Sequence, residues 1–167
     1  MMELWDAYHS SFIKIENVTL VRGETIPKGM FHLVCEILVK HSDGTFLLMK
    51  RDPQKHFGGM WEATAGGSAL AGETPLQCAI RELREETGII STDLVEVGRE
   101  VSNRTQSIYM EFLCVTDWNK DKISLQKGET VDYKWVSREE LLSMNKDELV
   151  TKRIQKYIDE LNQNLAI

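Results

Sequence analysis

Glu82, Glu85 and Glu86, with Arg81 beside them, are the residues whose types and spacing could do chemistry. A helix advances 100° per residue, so the three positions fall within an arc of about 100° and their carboxylates converge. Carboxylates about 5 Å apart repel by several kcal/mol at an effective dielectric near 20, and a divalent cation lets them stay ionised together. Oxygen-only ligands favour a hard ion, which selects Mg2+ or Mn2+ over Zn2+, a collector of His and Cys, and over Ca2+, which takes more ligands. The plainer alternative is a solvated helix face propped by the i,i+4 pair of Arg81 and Glu85. The surroundings weigh against it: Gly66-Gly67 lies upstream, Glu73 intervenes and Gly88 closes the segment.

A helix from Thr74 to Thr87 is what must hold these groups. Thr74-Pro75 suits a cap followed by proline in the first turn, Gly88 suits a C-terminal stop, and Leu76, Ala79, Ile80 and Leu83 recur at helical spacing on the packing face. Apolar runs at Leu33 to Val39 and Phe46 to Met49 predict neighbouring strands joined by a hairpin at His41-Ser42-Asp43-Gly44. Further strands are predicted over Leu94 to Val101, Ser107 to Val115 and Val131 to Val136; in the second of these Ile108, Met110 and Phe112 alternate with Tyr109, Glu111 and Leu113. Ser137-Arg138-Glu139-Glu140 resembles a capping box opening a short helix, and Asp147 to Leu165, with Leu149, Ile154, Ile158 and Leu161, predicts a longer one. Ala63 to Ser68, Ser10 to Met30, Asp52 to Met60 and Asp117 to Thr130 are left as loops. The order of elements fits an α/β architecture with helices on both sides of a mixed sheet. Phe57, Trp61 and Trp135 could stack on a base, although aromatics flanking a sheet commonly belong to the core.

With 167 residues and 42% hydrophobic content, the chain reads as one domain spanning 1–167. A net charge of −6 and the lack of a dense Lys/Arg stripe argue against a nucleic-acid polymer as partner, so a small anionic substrate must be captured locally. Cys35, Cys78 and Cys114 lie in apolar patterns and are odd in number, which argues for a reducing compartment. The opening MMELWDAYHS carries early acids and no apolar run, so a cytoplasmic protein with no membrane association is expected. Composition leaves a homodimer open.

Gly67, five residues, Glu73, seven residues, then Arg81-Glu82-Leu83-x-Glu85-Glu86-x-Gly88-Ile89 resembles the Nudix box at every defined position. The resemblance implies the α/β/α Nudix sandwich and an Mg2+-dependent hydrolase, with Mn2+ as a substitute, that cleaves the diphosphate linkage of a small molecule. It implies metal binding by Glu82, Glu85, Glu86 and the backbone carbonyl of Gly66. It also implies an Arg81 that orients a glutamate, with Glu73 as its ionic partner. The general base is Glu82 by first choice and Glu129, in Gly128-Glu129-Thr130, by second; an ordinary exposed loop acid is the other reading of Glu129.

A second resemblance covers more of the chain. Leu4-Trp5-Asp6, Arg22-Gly23-Glu24, Ile26-Pro27, Phe31-His32-Leu33 and Gly58-Gly59-Met60-Trp61-Glu62 look like the Nudix subgroup related to isopentenyl diphosphate isomerase. That isomerase uses a loop cysteine and histidine ligands, whereas Gly66 and Ser68 stand here in the matching loop, and neither can supply those groups. Pyrophosphohydrolase chemistry is therefore the expectation, with the isomerase and a non-catalytic nucleotide-sensing domain as rivals. His32 matches a histidine of the isomerase pattern, and Arg51 matches a recurrent arginine; both are candidate substrate contacts, and hydrogen bonding within the fold or surface solvation is the other reading of each. Nothing in the loops encodes the organic group, and family frequency favours a nucleoside diphosphate derivative.

Overall fold

The computed structural model describes residues 2–150 and 153–164. Its strands and helices run β1 (Leu4–Tyr8), β2 (Lys14–Val21), β3 (His32–His41), β4 (Phe46–Arg51), β5 (Trp61–Ala63), β6 (Ala65–Ser68), α1 (Pro75–Thr87), β7 (Leu94–Ser102), β8 (Ser107–Thr116), β9 (Thr130–Val136), α2 (Arg138–Ser143) and α3 (Arg153–Asn164). No helix among the described residues is long and apolar enough to cross a membrane.

β3 organises the larger sheet, whose order is β5-β4-β3-β8-β7 with β6 added to β3 and β9 to β4. It runs parallel to β8 from His32 opposite Ser107 to His41 opposite Thr116, and antiparallel to β6, so the sheet is mixed. Both faces of β3 are covered, which is why its sequence is a near-continuous apolar run. Leu33, Cys35, Ile37 and Val39 meet Cys78, Ala79 and Leu83 of α1 on one side. On the other, Leu38, Phe46, Leu48 and Leu113 meet Leu141 of α2 and Ile158 of α3. This is the expected α/β/α layering. The β1–β2 hairpin forms a separate two-stranded sheet with its own small core of Trp5, Ala7 and Leu20.

Several local expectations are corrected. The segment Ala63 to Ser68 is not a loop: β6 pairs with β3 from Val34 opposite Ser68 to Ile37 opposite Ala65, and tertiary pairing overrides the low strand propensity of Gly66-Gly67. The antiparallel ladder of β3 and β4 pairs Lys40 with Phe46, and buried Thr64 fills the gap beside it; its hydroxyl accepts from Val39 N and donates to Leu47 O, both at 2.8 Å. β2 lies within the Ser10 to Met30 stretch, hidden in the sequence by its polar, largely exposed residues. Leu76 is exposed rather than packed, and Cys78 takes the buried place. The last helix begins at Arg153, not Asp147; Leu149 instead forms a parallel bridge to Trp61, with Trp61 N donating to Glu148 O at 2.7 Å. The side chains of Ile154 and Leu161, and Leu165 as a whole, lie outside the described residues.

His32 fastens the hairpin to the sheet. Its ring stacks on Trp5 with centroids 4.2 Å apart, its Nε2 lies 2.8 Å from Ser107 Oγ and its Nδ1 3.3 Å from Ser68 Oγ. Burial, aided by Arg22, pushes its pKa down to about 4. The unfolded chain therefore takes up a proton near 6.5 while the folded one resists it, so stability rises with pH across this window and is lost as pH falls toward 4. Urea midpoints measured between pH 7 and pH 4.5 should fall less steeply for His32→Asn than for the parent chain.

Candidate active site

α1 is closed firmly at both ends, and this sets the direction of its side chains. Gln77 N donates to Thr74 Oγ1 at 3.2 Å and Thr74 N donates to Gln77 Oε1 at 2.9 Å, a reciprocal cap reinforced by Pro75. At the far end Gly88, with φ of 77°, returns its N–H to Arg84 O at 2.9 Å. Between them, Arg81 gathers acids from two directions. Nε donates to Glu73 Oε1 at 2.6 Å and Nη2 to Glu73 Oε2 at 2.9 Å; Nη1 donates to Glu82 Oε1 at 2.6 Å and to Glu85 Oε2 at 3.3 Å. The expected pairing of Arg81 with Glu73 is present, and the same guanidinium also restrains two of the three clustered glutamates. Glu73 is itself anchored by Leu70 N at 2.9 Å, and its carboxyl is held below the usual range by Arg81.

The two glycines of β6 matter through close approach rather than unusual φ. A Cβ on Gly67 would stand 2.3 Å from Glu82 Oε1, and one on Gly66 would stand 3.0 Å from Cys35 O. The backbone of Gly66 lies close enough to the Glu86 carboxyl to favour its ionised form slightly. Carboxylates thus press directly on this strand's backbone, which only glycine permits at Gly67.

Glu86 departs from the picture of an exposed cluster: only 6% of it is accessible. Burial, followed by the charges of Glu62 and Glu82, pushes its pKa up to about 8. Burial also raises Glu62, outweighing its 2.5 Å contact with Arg51 Nη1, and raises Glu82, outweighing the Arg81 pairing. Glu62 is the residue that sequence reasoning missed. Its signal was an acid set in the apolar edge strand Trp61-Glu62-Ala63. Lys55, on the Asp52 to Met60 loop, lies within electrostatic reach of Glu86 and Glu62 and forms an ion pair with Glu129, which brings Glu129 to the rim of the group.

Among the described residues, no three His, Cys, Asp or Glu side chains stand ready around one point to hold a metal. Arg81 draws Glu82 and Glu85 its own way, while Glu86 lies within electrostatic reach of Glu62. The donor set nevertheless fits a hard divalent cation: every acid is an oxygen donor, and Glu62, Glu82 and Glu86 have their ionised forms disfavoured by burial and by neighbouring carboxylates. A cation is what would favour ionisation of all three.

Beside this group opens a cleft of about 570 Å³. Arg51, Glu62, Gly66 and Gly67 line its near end, and Phe57 and Tyr109 present aromatic surface to it. Arg51 is braced by Nε donating to His56 O at 3.0 Å. His32 and Glu129 are not among the described residues lining it, and neither are Trp61 and Trp135. Trp61 carries the ammonium of Lys134 4.3 Å from its ring centroid, and Trp135 packs at the edge of the core.

Gly67→Ala should displace the Glu82 carboxylate and destabilise the fold by about 1 kcal/mol or more, and in a Glu82→Ala background the penalty should disappear, as read by a denaturation double-mutant cycle. For Glu86, the folded chain keeps a proton between pH 4.5 and about 8 that the unfolded chain has lost, so stability falls as pH rises through that interval. Glu86→Gln should accordingly raise the melting temperature of metal-free protein, more at pH 9 than at pH 6.

The family model of the NUDIX domain matches residues 30–160. An uncharacterised Nudix hydrolase of Listeria monocytogenes serovar 1/2a is 34% identical over 142 residues, covering 84% of this chain and 83% of that protein. The CTP pyrophosphohydrolase of Escherichia coli strain K12 is 33% identical over 68% of this chain and 80% of its own. The isopentenyl-diphosphate Delta-isomerase of Dinoroseobacter shibae is 26% identical over 86% of this chain and 82% of that protein. In shape, the crystal structure of DR0079 from Deinococcus radiodurans superposes with a TM-score of 0.74 over 95% of this chain and 98% of that one, at 17% identity. With the family model covering most of the chain and a 34% identical relative matched along most of its length, the chain belongs to the Nudix hydrolase family.

Proposed function

We propose that this chain is an Mg2+-dependent pyrophosphohydrolase, also served by Mn2+, that cleaves the diphosphate linkage of a small nucleoside diphosphate derivative. The observation that carries the proposal is the buried Glu86 facing Glu62 and Glu82, three acids whose mutual repulsion a divalent cation relieves. Glu82, Glu85, Glu86 and the Gly66 carbonyl are the assigned ligands, and Glu62 is added to them from its position. The cation, when bound, offsets the negative charge of the diphosphate oxygens. Relatives that include a CTP pyrophosphohydrolase support a nucleotide as the organic part.

The chain's own groups account for the remaining work. Glu82 is assigned the proton of the attacking water, because burial raises its pKa and so makes its carboxylate a stronger base. Arg81 keeps that carboxylate oriented and does not touch substrate in this reading. Glu129 is the second choice of base, reached through the Lys55 ion pair. Arg51, at the cleft wall, is placed to receive a phosphate oxygen. His32 has its ring nitrogens engaged by Ser107 and Ser68 and receives no role here. Attack at phosphorus yields two phosphate-ended fragments.

The isomerase reading needs a cysteine in the cleft: Cys35, Cys78 and Cys114 are all buried, and none is among the described residues lining it. The test is phosphate release, after coupled phosphatase treatment, across nucleoside di- and triphosphates, nucleotide sugars, dinucleoside polyphosphates and prenyl diphosphates, with Mg2+ or Mn2+. Release should stop on chelation and fall about a hundredfold or more in Glu85→Gln and Glu86→Gln. Undiminished turnover by folded Glu86→Gln would remove the assigned site; tight binding without release would make the chain a sensor, and isomerised prenyl diphosphate would overturn the hydrolase.

A further inference from the structure

On the sheet face away from α1, the cleft is bounded by Arg153, the first residue of α3. Its guanidinium is fixed from several sides. Nη2 donates to Glu36 Oε1 at 2.7 Å and Nε to Glu36 Oε2 at 3.2 Å, a two-point clasp that sets the orientation of the plane. The carboxylate of Glu111, 4% accessible, lies 3.7 Å from Nε. Cζ stands 4.0 Å from the centroid of the Tyr109 ring. Nη1 donates to Glu100 Oε1 at 3.3 Å, a longer bond than either of those to Glu36.

Among the described residues, the carboxylates of Glu36, Glu100 and Glu111 surround this guanidinium and overcompensate it, in a cleft that has to admit an anion. Two of the three are committed to the fold: Glu36 and Glu111 occupy paired positions of β3 and β8 in the middle of the sheet. Glu100 belongs to the edge strand β7, its side chain is 41% accessible, and among the described residues one long side-chain hydrogen bond holds it. It can withdraw into water at little cost.

We infer that Nη1 of Arg153 is the recognition point for an oxygen acceptor on the organic group of the substrate, and that Glu100 fills this point until the ligand arrives. The inference rests on the pyrophosphohydrolase reading for the diphosphate, and adds that the group attached to it carries a carbonyl or a second phosphate. A plain alkyl or prenyl chain has neither and gains nothing from Arg153. Clasp and stack pre-organise the guanidinium, so an acceptor meets a donor already oriented.

The test is calorimetric titration of the full chain, with Mg2+, using AMP, GMP, adenosine 3′,5′-bisphosphate and methylenediphosphonate, none of which the proposed reaction cleaves. Glu100→Gln should tighten GMP or the bisphosphate by about threefold to tenfold and Arg153→Lys should weaken the same ligand by about tenfold, with methylenediphosphonate shifted by less than about twofold. A response to GMP alone assigns a carbonyl, and a response to the bisphosphate alone assigns a second phosphate. Equal shifts for every ligand, no shift for any, or no nucleotide binding would each overturn the inference. Should Arg153→Lys fail to fold, the exposed Glu100→Gln decides by itself. If the parent chain cleaves no diphosphate yet Glu100→Gln still tightens nucleotide binding, the hydrolase reading fails and the recognition point stands.

Discussion

The carboxylates of Glu82 and Glu86 sit against the backbone of Gly66 and Gly67, partly stripped of water and close to one another, and the rest of the site answers to that strain. Arg81 restrains Glu82 and Glu85 from one side while being held to Glu73 on the other. The double cap of α1 prevents the last turn from unwinding to let the charges separate. β6 is hydrogen-bonded into the sheet, so its backbone cannot retreat from the carboxylates either. Rigid packing on both sides therefore maintains a charge arrangement that, in isolation, would relax.

The acid group and the cleft beside it pose opposite electrostatic problems. At Glu86 burial and the charges of Glu62 and Glu82 outweigh that of Lys55, and protonation is the response open to the metal-free chain. At Arg153 one cation serves several acids, and the guanidinium stays charged at any ordinary pH. Glu36 links the two regions, since it clasps Arg153 and also bears electrostatically on Glu62. The pattern places the fixed cation in the cleft and the cation-seeking acids beside it, with Glu62 common to both.

Much of this was legible in the residues. The helix from Thr74 to Thr87 announced its cap, its proline and its terminal glycine, because those signals are local. β3 and β4 were visible as apolar runs, since burial on both faces leaves a dense signature, and β8 showed through its alternation. What escaped depended on long-range pairing: β6 reads as a glycine loop until β3 is placed beside it, and β2 reads as a polar segment until β1 is. Leu149 kept its apolar character but joined a bridge to Trp61 in place of a helix. Glu62 and the burial of Glu86 escaped for a related reason, as side-chain accessibility at the end of a helix is set by elements that arrive from elsewhere in the chain.

The parallel ladder between β3 and β8 joins residues 75 positions apart, from His32 to Ser107. Loop-closure entropy of that size makes such a pairing a late event in folding, because many local contacts form before it repays its cost. During synthesis, β3 emerges long before β8, and its apolar stretch can be shielded on one edge by β6 well before the other edge is covered. The open edge in that interval is a strand of high hydrophobicity, the kind on which nascent chains associate. Glu36, set in the middle of that strand and later clasped by Arg153, places a charge in the exposed edge at the stage when the chain is most vulnerable to self-association.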